Sequence, residues 1–259
     1  MTDLNRYTLI TGGSDGIGFE LAKIYAKNKD NLIIIAKDEI KLRNAKSRLE
    51  DQYGVIVEII QCDLSVDKGY KKIIEVVEEK NLIVDNLINN AGIGCFGFFH
   101  DLEEGLEEKI ININITALTM LTKYFSKKMV ERRHGGILNV ASTAAFISGP
   151  KMSIYYSSKA YVLSLTEAIH DELKDLGIRV SCLCPGPVRT SFQEKAGIKK
   201  SQRSKRYLMN ASDIAKYAYR EFSMGKTIII PGYKNKLLIL GNKLIPRALG
   251  RRIILKNNS

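Results

Sequence analysis

Short apolar runs alternate with longer stretches of helical periodicity along most of the 259-residue chain. The runs are rich in Ile, Val and Leu, which is typical of strands that are covered on both faces. They predict strands at residues 6–11, 31–36, 55–61, 84–89, 136–141, 178–184 and 227–230. The stretches between them predict helices at residues 17–29, 39–53, 68–80, 102–132, 155–176 and 212–223.

Strands that alternate with helices form right-handed βαβ units, and such units build a parallel sheet. We therefore predict an α/β protein: a single Rossmann-type, doubly wound parallel sheet with helices on both faces. No Gly-, Pro- or Ser-rich linker interrupts the pattern, so residues 1–232 are predicted to be one domain and residues 233–259 an extension. Sheets of this kind bind ligands beyond the carboxyl ends of their strands.

The composition, with 45% hydrophobic and 26% charged residues, is that of a globular protein. The four cysteines have neither metal-ligand spacing nor a disulfide-rich context, so we expect no metal site. No run reaches the roughly 20 apolar residues of a membrane-spanning helix. The N-terminal residues do not resemble a signal peptide, and we expect a cytoplasmic protein.

The net charge of +12 is concentrated near the C-terminus. Residues 195–259 carry 16 Lys and Arg against Asp213 and Glu221, whereas residues 1–194 have 24 basic and 26 acidic side chains. Residues 233–259 mix these cations with apolar residues, and Pro246 is expected to kink the segment. Basic amphipathic segments can bind peripherally to anionic membranes. The alternative is that the apolar side packs on the domain or on a second subunit. We do not expect nucleic acid as a partner, because no binding motif is present.

The first predicted strand leads into a glycine-rich turn, Thr11-Gly12-Gly13-Ser14-Asp15-Gly16-Ile17-Gly18, within which a helix begins. Glycines there let the backbone approach a pyrophosphate, and the helix N-terminus supplies N–H donors and a favourable dipole. The Thr-Gly-x-x-x-Gly-x-Gly spacing resembles that of the short-chain dehydrogenases/reductases. The residues of this turn expected to bind the dinucleotide are Gly12, Ser14, Asp15, Gly16, Ile17 and Gly18.

The resemblance to this family continues in order along the chain. Asp63, followed by Leu64, resembles the family's acidic contact to adenine. Asn89-Asn90-Ala91-Gly92 looks like the family motif that supports the sheet, and its Asn90, Ala91 and Gly92 would line the cofactor cleft. Pro185-Gly186-Pro187-Val188-Arg189-Thr190 resembles the segment that holds the nicotinamide carboxamide. The residues expected to bind there are Pro185, Gly186, Val188 and Thr190.

The resemblance also implies a catalytic set. Ser142 closes the fifth predicted strand, and Tyr155-x-x-x-Lys159 follows 13 positions later, which is the family's usual separation. Asn114 matches the family's catalytic asparagine, with Asn112 as an alternative. Ser142 has two alternatives of its own, since it could be only a strand-end cap and Thr143 could take its role.

These residue types suit hydride transfer coupled to movement of a proton. Tyr155 would be the acid in carbonyl reduction and the base in alcohol oxidation, and with Lys159 it would also contact the cofactor. An unperturbed tyrosine has a pKa of about 10, and a nearby cation such as Lys159, one helical turn away, is expected to lower it. Ser142 would hydrogen-bond the substrate oxygen as it gains negative charge. Asn114 would hold a water behind Lys159, as in the family.

The cofactor prediction depends on the end of the second strand. NAD enzymes of this type place an acid there to bind the ribose hydroxyls. Here Ala36 is followed by Lys37, a cation that suits a 2′-phosphate, and Ser14 could donate a further hydrogen bond. We therefore predict NADP(H) over NAD(H). Asp38 is the contrary observation, because a strand ending one residue later would bring it closer to the ribose.

These observations predict an oxidoreductase that acts on a small-molecule carbonyl or secondary alcohol. An NADP-binding sensor without turnover, or an epimerase or dehydratase on the same scaffold, remain alternatives. The substrate would lie between residues 93–99, residues 143–153 and a lid at about 188–211, and a homodimer or homotetramer is expected. The predicted pocket lining is apolar, although these side chains could equally belong to the core or to a subunit contact: Phe96, Phe98, Phe99, Phe146, Ile147 and Met152.

Overall fold

The computed structural model describes residues 6–192, 196–197 and 208–257. Within these residues a seven-stranded parallel sheet has the strand order β3-β2-β1-β4-β5-β6-β9. Its strands are β1 (Arg6–Thr11), β2 (Asn31–Ala36), β3 (Val57–Gln61), β4 (Ile83–Asn89), β5 (Gly135–Val140), β6 (Ile178–Leu183) and β9 (Ile228–Ile229). A separate parallel pair consists of β7 (Val188–Arg189) and β8 (Met209–Asn210).

Helices cover both faces of the sheet, as predicted. One face packs on α1 (Gly16–Lys27), α2 (Glu39–Tyr53) and α7 (Ala211–Ser223), and the other on α3 (Tyr70–Glu79) and α5 (Leu118–Arg132). The remaining helices of the described chain are α4 (Leu106–Ile111), α6 (Ser153–Leu173), α8 (Tyr233–Leu244) and α9 (Arg247–Asn257). The strands are almost fully buried, which explains their continuous apolar sequence. The protein therefore has the doubly wound α/β fold.

The helix predicted over residues 102–132 begins four residues later, at Leu106, and contains a π-helical turn. The structure has α4, then a π-helical turn at Asn112–Ala117, then α5. A π-helical turn adds a residue to one turn of an otherwise continuous helix, so it leaves little trace in the apolar pattern. Pro246 does break the C-terminal segment, since α8 ends at Leu244 and α9 begins at Arg247.

A buried polar network ties the middle of the sheet to two helices. The Asn89 side-chain amide donates to Thr122 Oγ1 on α5 and to Asn139 Oδ1 on β5, both at 2.9 Å. Asn139 in turn donates to Thr166 Oγ1 on α6 at 3.1 Å. These contacts fix α5 and α6 against the ends of β4 and β5, where the candidate site residues lie.

Candidate active site

The glycine-rich turn after β1 is clamped by Asn90, the residue that follows β4. Asn90 Nδ2 donates to the carbonyl oxygens of Thr11 at 2.9 Å and Gly12 at 3.2 Å, while Thr11 Oγ1 accepts the backbone N–H of Asn90 at 3.0 Å. Gly12 has a φ of +66°, and a Cβ added there would lie 2.9 Å from Asn90 Nδ2. A Cβ at Gly18 would collide with Gly12 O. The turn therefore needs glycine at both positions.

The start of α1 meets the segment predicted to bind the nicotinamide. Asp15 caps the helix by accepting the Gly16 N–H at 2.7 Å, and its other oxygen accepts from Ser191 Oγ at 2.8 Å. A Cβ at Gly16 would lie 3.2 Å from Thr190 Cγ2. Asp15 is an acidic cap on α1, and the residues of the first turn itself are not acidic. The two segments predicted to bind the cofactor are therefore in direct contact.

Two other residues predicted to bind the cofactor pair with each other. β2 ends at Ala36 as predicted, and Lys37 Nζ lies 2.6 Å from Asp63 Oδ2. Although burial raises the pKa of Asp63, the hydrogen bonds from Lys37 and Ser65 hold that pKa below its usual value. Asp38 caps α2 by accepting the Lys41 N–H at 3.0 Å. Its carboxylate therefore has a structural role at the helix start.

Sequence reasoning missed several cations around the cofactor cleft. Lys41 and Arg48 lie with Ser14 and Phe19 in a cleft beside the glycine turn, and the Arg48 guanidinium is 4.7 Å from the centre of the Phe19 ring. The two cations are seven residues apart on α2, which places them on the same face of the helix. This spacing could have been used to find them from the sequence. A second cleft, beside Lys37 and Asp63, is lined in addition by the lysines at positions Lys68, Lys71 and Lys72.

The first turns of α6 bring Tyr155 to Ser142. Ser142 lies close enough to Tyr155 for its hydroxyl to favour the phenolate and so lower the Tyr155 pKa. Ser142 Oγ also accepts the Ala144 N–H at 3.1 Å and donates to Pro185 O at 3.4 Å. Ser142 is therefore the cap of the 3₁₀ turn Thr143–Phe146 and also lies near Tyr155.

The Tyr155 pKa was predicted to be lowered by Lys159. The protein environment raises it instead, so this prediction was wrong. Burial raises the pKa of Tyr155 to about 12, against an opposing hydrogen bond from Ser142. Lys159 Nζ lies 5.9 Å from the centre of the Tyr155 ring and donates to Val140 O at 2.9 Å. Burial lowers the pKa of Lys159 itself to about 8. Burial, which disfavours charge on both groups, is the largest cause of both pKa shifts.

Asn114 lies in the π-helical turn and is fully buried. It accepts the Ile93 N–H at 3.0 Å and donates to Ile93 O at 2.9 Å and Ser158 Oγ at 3.0 Å. Asn112, the alternative, instead donates its side-chain amide to Ser65 O at 3.0 Å. A Cβ on Gly92 would lie 3.3 Å from Asn114 Oδ1 and 3.2 Å from Lys159 Nζ, so the three residues converge.

The neighbouring Tyr156 has a different environment. Its ring fills the space beside Gly149, where any Cβ would overlap it. The Tyr155 ring, by contrast, packs against the Phe192 ring, with 5.5 Å between the ring centres. Most of the predicted lid, residues 193–195 and 198–207, lies outside the described residues.

The predicted apolar pocket lining divides into two groups. Phe146 packs against a core cluster that includes Leu118 and Val162, so it belongs to the core. Phe98 and Phe99 are exposed, and Lys151 Nζ lies 4.9 Å from the centre of the Phe98 ring.

The comparisons with known proteins agree with this geometry. The family model described as short chain dehydrogenase matches residues 6–201. A very-long-chain 3-oxoacyl-CoA reductase-like protein of Arabidopsis thaliana is 36% identical over 206 residues, which are 76% of this chain and 65% of that protein. The very-long-chain 3-oxoacyl-CoA reductase of Rattus norvegicus is 31% identical over 194 residues, 73% of this chain and 61% of the relative. This chain thus spans less than two thirds of the length of either relative.

A solved structure extends the comparison to the whole fold. The short-chain dehydrogenase from Sphingobium yanoikuyae in complex with NADPH superposes with a TM-score of 0.83 and 30% sequence identity. The match covers 92% of this chain and 93% of that one. The protein therefore belongs to the short-chain dehydrogenase/reductase family of oxidoreductases.

Proposed function

We propose that the protein transfers a hydride between NADP(H) and a carbonyl or secondary alcohol, with Tyr155 as the general acid and base. The observation that carries the proposal is the proximity of Tyr155 to two groups: Ser142, which acts to lower the Tyr155 pKa, and the Lys159 ammonium, 5.9 Å from the Tyr155 ring centre. Ser142 also contacts Pro185 O, so this pair adjoins the cofactor cleft.

In reduction the bound nicotinamide supplies the hydride to the carbonyl carbon. Tyr155 donates its proton to the carbonyl oxygen, and Ser142 hydrogen-bonds that oxygen as negative charge develops. A pKa raised by burial keeps Tyr155 protonated at neutral pH, which favours its action as an acid. Lys159, charged below a pKa of about 8, stabilises the phenolate that remains.

Asn114 supports this arrangement from behind. Its amide is fixed by both backbone groups of Ile93 and by Ser158 Oγ. The Ser158 hydroxyl donates to Tyr155 O at 2.7 Å, so Asn114 is linked to the first turns of α6. We assign it the role of positioning α6, and thereby Tyr155 and Lys159, relative to β4.

The groups around the cleft fit a 2′-phosphorylated dinucleotide. The Ser14 hydroxyl and the cations Lys37, Lys41 and Arg48 are all suited to phosphate. Asp38, the acid that could favour an unphosphorylated ribose, caps α2. The Sphingobium relative is a complex with NADPH, which agrees with this preference.

For the substrate we propose a ketone on a long acyl chain. The names of the Arabidopsis and rat relatives specify a very-long-chain 3-oxoacyl thioester. Exposed Phe98 and Phe99, beside the cation of Lys151, offer contacts for an apolar chain and an anionic carrier group.

A comparison of cofactor consumption by the purified full chain tests these proposals. The carbonyl compounds are long-chain and short-chain 3-oxoacyl thioesters, a steroid ketone and an aromatic ketone, each with NADPH and with NADH. We expect fastest turnover of the long-chain thioester with NADPH. Binding of NADPH without turnover of any compound would identify a sensor. Isomerised or dehydrated product from the corresponding hydroxy compounds, without net cofactor consumption, would identify an epimerase or dehydratase.

A further inference from the structure

Helix α8 presents a row of large apolar side chains away from the protein. Tyr233, Leu237, Leu240 and Leu244 are spaced so that they share one helix face, and they are between 58% and 82% exposed. The other side of α8 packs on the domain, where Ile239 is buried. The apolar face is therefore separate from the one that holds the helix in place.

Asn235 anchors the start of this helix close to the active site. Its Nδ2 donates to Pro231 O at 2.7 Å, and a Cβ on Gly186 would lie 2.6 Å from the same atom. Gly186 belongs to the segment predicted to hold the nicotinamide. Since α8 is fixed there, its orientation relative to the cleft is also fixed.

Helix α9 also exposes large apolar side chains. Leu249 and Ile253, one turn apart, are 50% and 44% exposed. Gly250 is buried, and a Cβ there would lie 3.2 Å from Ile147 Cδ1. Ile147 directly follows the 3₁₀ turn that Ser142 caps. Both helices therefore lie on the side of the protein that carries the catalytic residues.

The charged residues of α8 and α9 are all positive. Residues 233–257 contain no Asp or Glu. They contain seven cations, at positions Lys234, Lys236, Lys243, Arg247, Arg251, Arg252 and Lys256. A surface that combines an apolar row with positive charge alone complements a partner that is both apolar and anionic.

An anionic lipid bilayer meets both requirements better than the other candidates. A second copy of the chain, docked about a two-fold axis, would bring two sets of seven cations together. Nucleic acid would satisfy the cations and leave the leucines in water. Among the residues that the structure describes, no helix combines the length and apolar character needed to cross a bilayer.

We propose that α8 and α9 form a membrane-surface anchor that binds anionic bilayers. The residues Tyr233, Leu237, Leu240, Leu244, Leu249 and Ile253 would enter the boundary between headgroups and acyl chains, and the cations would contact anionic headgroups. The catalytic side of the protein would then lie beside the bilayer. This inference rests on the two helices alone and does not require the proposed reaction.

Co-sedimentation of the full chain with vesicles tests the anchor. We expect binding to vesicles of phosphatidylcholine with phosphatidylserine, weak binding to phosphatidylcholine alone, and loss of binding as salt is raised. The triple variant Leu237→Gln, Leu240→Gln, Leu244→Gln should bind at least ~10-fold more weakly. The matched control, Ile40→Gln, Val66→Gln, Met224→Gln, removes three exposed apolar side chains elsewhere and should bind normally.

Other outcomes would overturn the inference. These are no binding of the unaltered chain to anionic vesicles, equal loss of binding in the control variant, or binding to duplex DNA in place of vesicles. A change from oligomer to monomer in the leucine variant, measured by light scattering, would assign the surface to a second copy. Normal unfolding temperatures of both triple variants would show that each is folded, since the altered side chains are exposed.

Discussion

The Lys159 ammonium donates to the carbonyl oxygen of Val140 at 2.9 Å, in a site where the lysine side chain is almost fully buried. Burial of this cation lowers its pKa to about 8, which means that the fold disfavours the charged form. The proposed chemistry needs that charge beside Tyr155. The position is therefore one where activity and stability make opposite demands.

Replacement of Lys159 by Met should stabilise the protein while it abolishes activity. The pKa shift corresponds to roughly 3 kcal/mol of penalty at neutral pH, and the lost hydrogen bond to Val140 offsets about 1 kcal/mol of it. We expect Lys159→Met to increase the free energy of unfolding by about 1–2 kcal/mol at about pH 7, as measured by denaturant titration. The exposed control Lys216→Met should change neither stability nor activity.

The direction of the Lys159 pKa shift predicts how the effect of Lys159→Met on stability changes with pH. The folded-state pKa of Lys159 lies below its unfolded value, so the penalty is fully present below about pH 8 and is lost as pH rises toward the unfolded value of about 10.4. The stability advantage of Lys159→Met should therefore shrink between about pH 8 and about pH 10. An advantage that grows in this range would contradict the assignment.

Alcohol oxidation should accelerate with rising pH, because the base form of Tyr155 is the phenolate. With a pKa raised to about 12, only a small fraction of Tyr155 is ionised at neutral pH. We expect kcat/KM for oxidation with NADP⁺ to increase between about pH 7 and about pH 9, while kcat/KM for reduction does not. An oxidation rate that is flat or falling over this range would show that Tyr155 is not the base.

Removal of the Lys37 cation should lower activity with NADPH more than activity with NADH. A charge-assisted hydrogen bond to a phosphate contributes about 1.5–3 kcal/mol, so Lys37→Ala should lower kcat/KM for NADPH roughly 10- to 100-fold. The value for NADH should change little. Arg43→Ala, an exposed cation paired with Glu39 on α2, is the control. An equal decrease for both cofactors would argue against a 2′-phosphate at Lys37.

A single methyl group at Gly18 should disrupt the cofactor turn. The added Cβ would collide with Gly12 O and with the Asn90 side chain that clamps the turn. We expect Gly18→Ala to weaken NADPH binding, measured by fluorescence titration, at least ~10-fold and to lower the unfolding temperature. Gly241→Ala meets open space on α8 and should stabilise that helix by up to about 1 kcal/mol.

The strand pattern was predictable because each strand is buried on both faces, and β1 and β2 have the predicted bounds. The π-helical turn at Asn112–Ala117 was not, since it follows from tertiary contacts such as those of Asn114 with Ile93 and Ser158. The pairing of Lys37 with Asp63 also required the structure, because β2 and β3 bring together residues that are distant in sequence.

The electrostatic balance at Tyr155 was the clearest failure of sequence reasoning. The Tyr-x-x-x-Lys spacing does place both side chains on one side of α6, with 5.9 Å between the Lys159 nitrogen and the Tyr155 ring centre. The direction of the pKa shift depends instead on burial, to which Phe192 contributes by packing on the Tyr155 ring. That contact joins residues 37 positions apart and has no signal in local spacing.

Steady-state reduction by Tyr155→Phe, compared with Tyr156→Phe, is the most direct test of the central proposal. The two variants each lose one hydroxyl from adjacent rings, and of the two tyrosines only Tyr155 has a pKa that Ser142 acts to lower. We expect Tyr155→Phe to lower kcat at least ~100-fold with NADPH affinity retained, because positioned proton transfer contributes about 10²–10⁴-fold. Tyr156→Phe should retain activity within about 3-fold. Retained turnover in Tyr155→Phe, or a greater loss in Tyr156→Phe, would contradict the assignment.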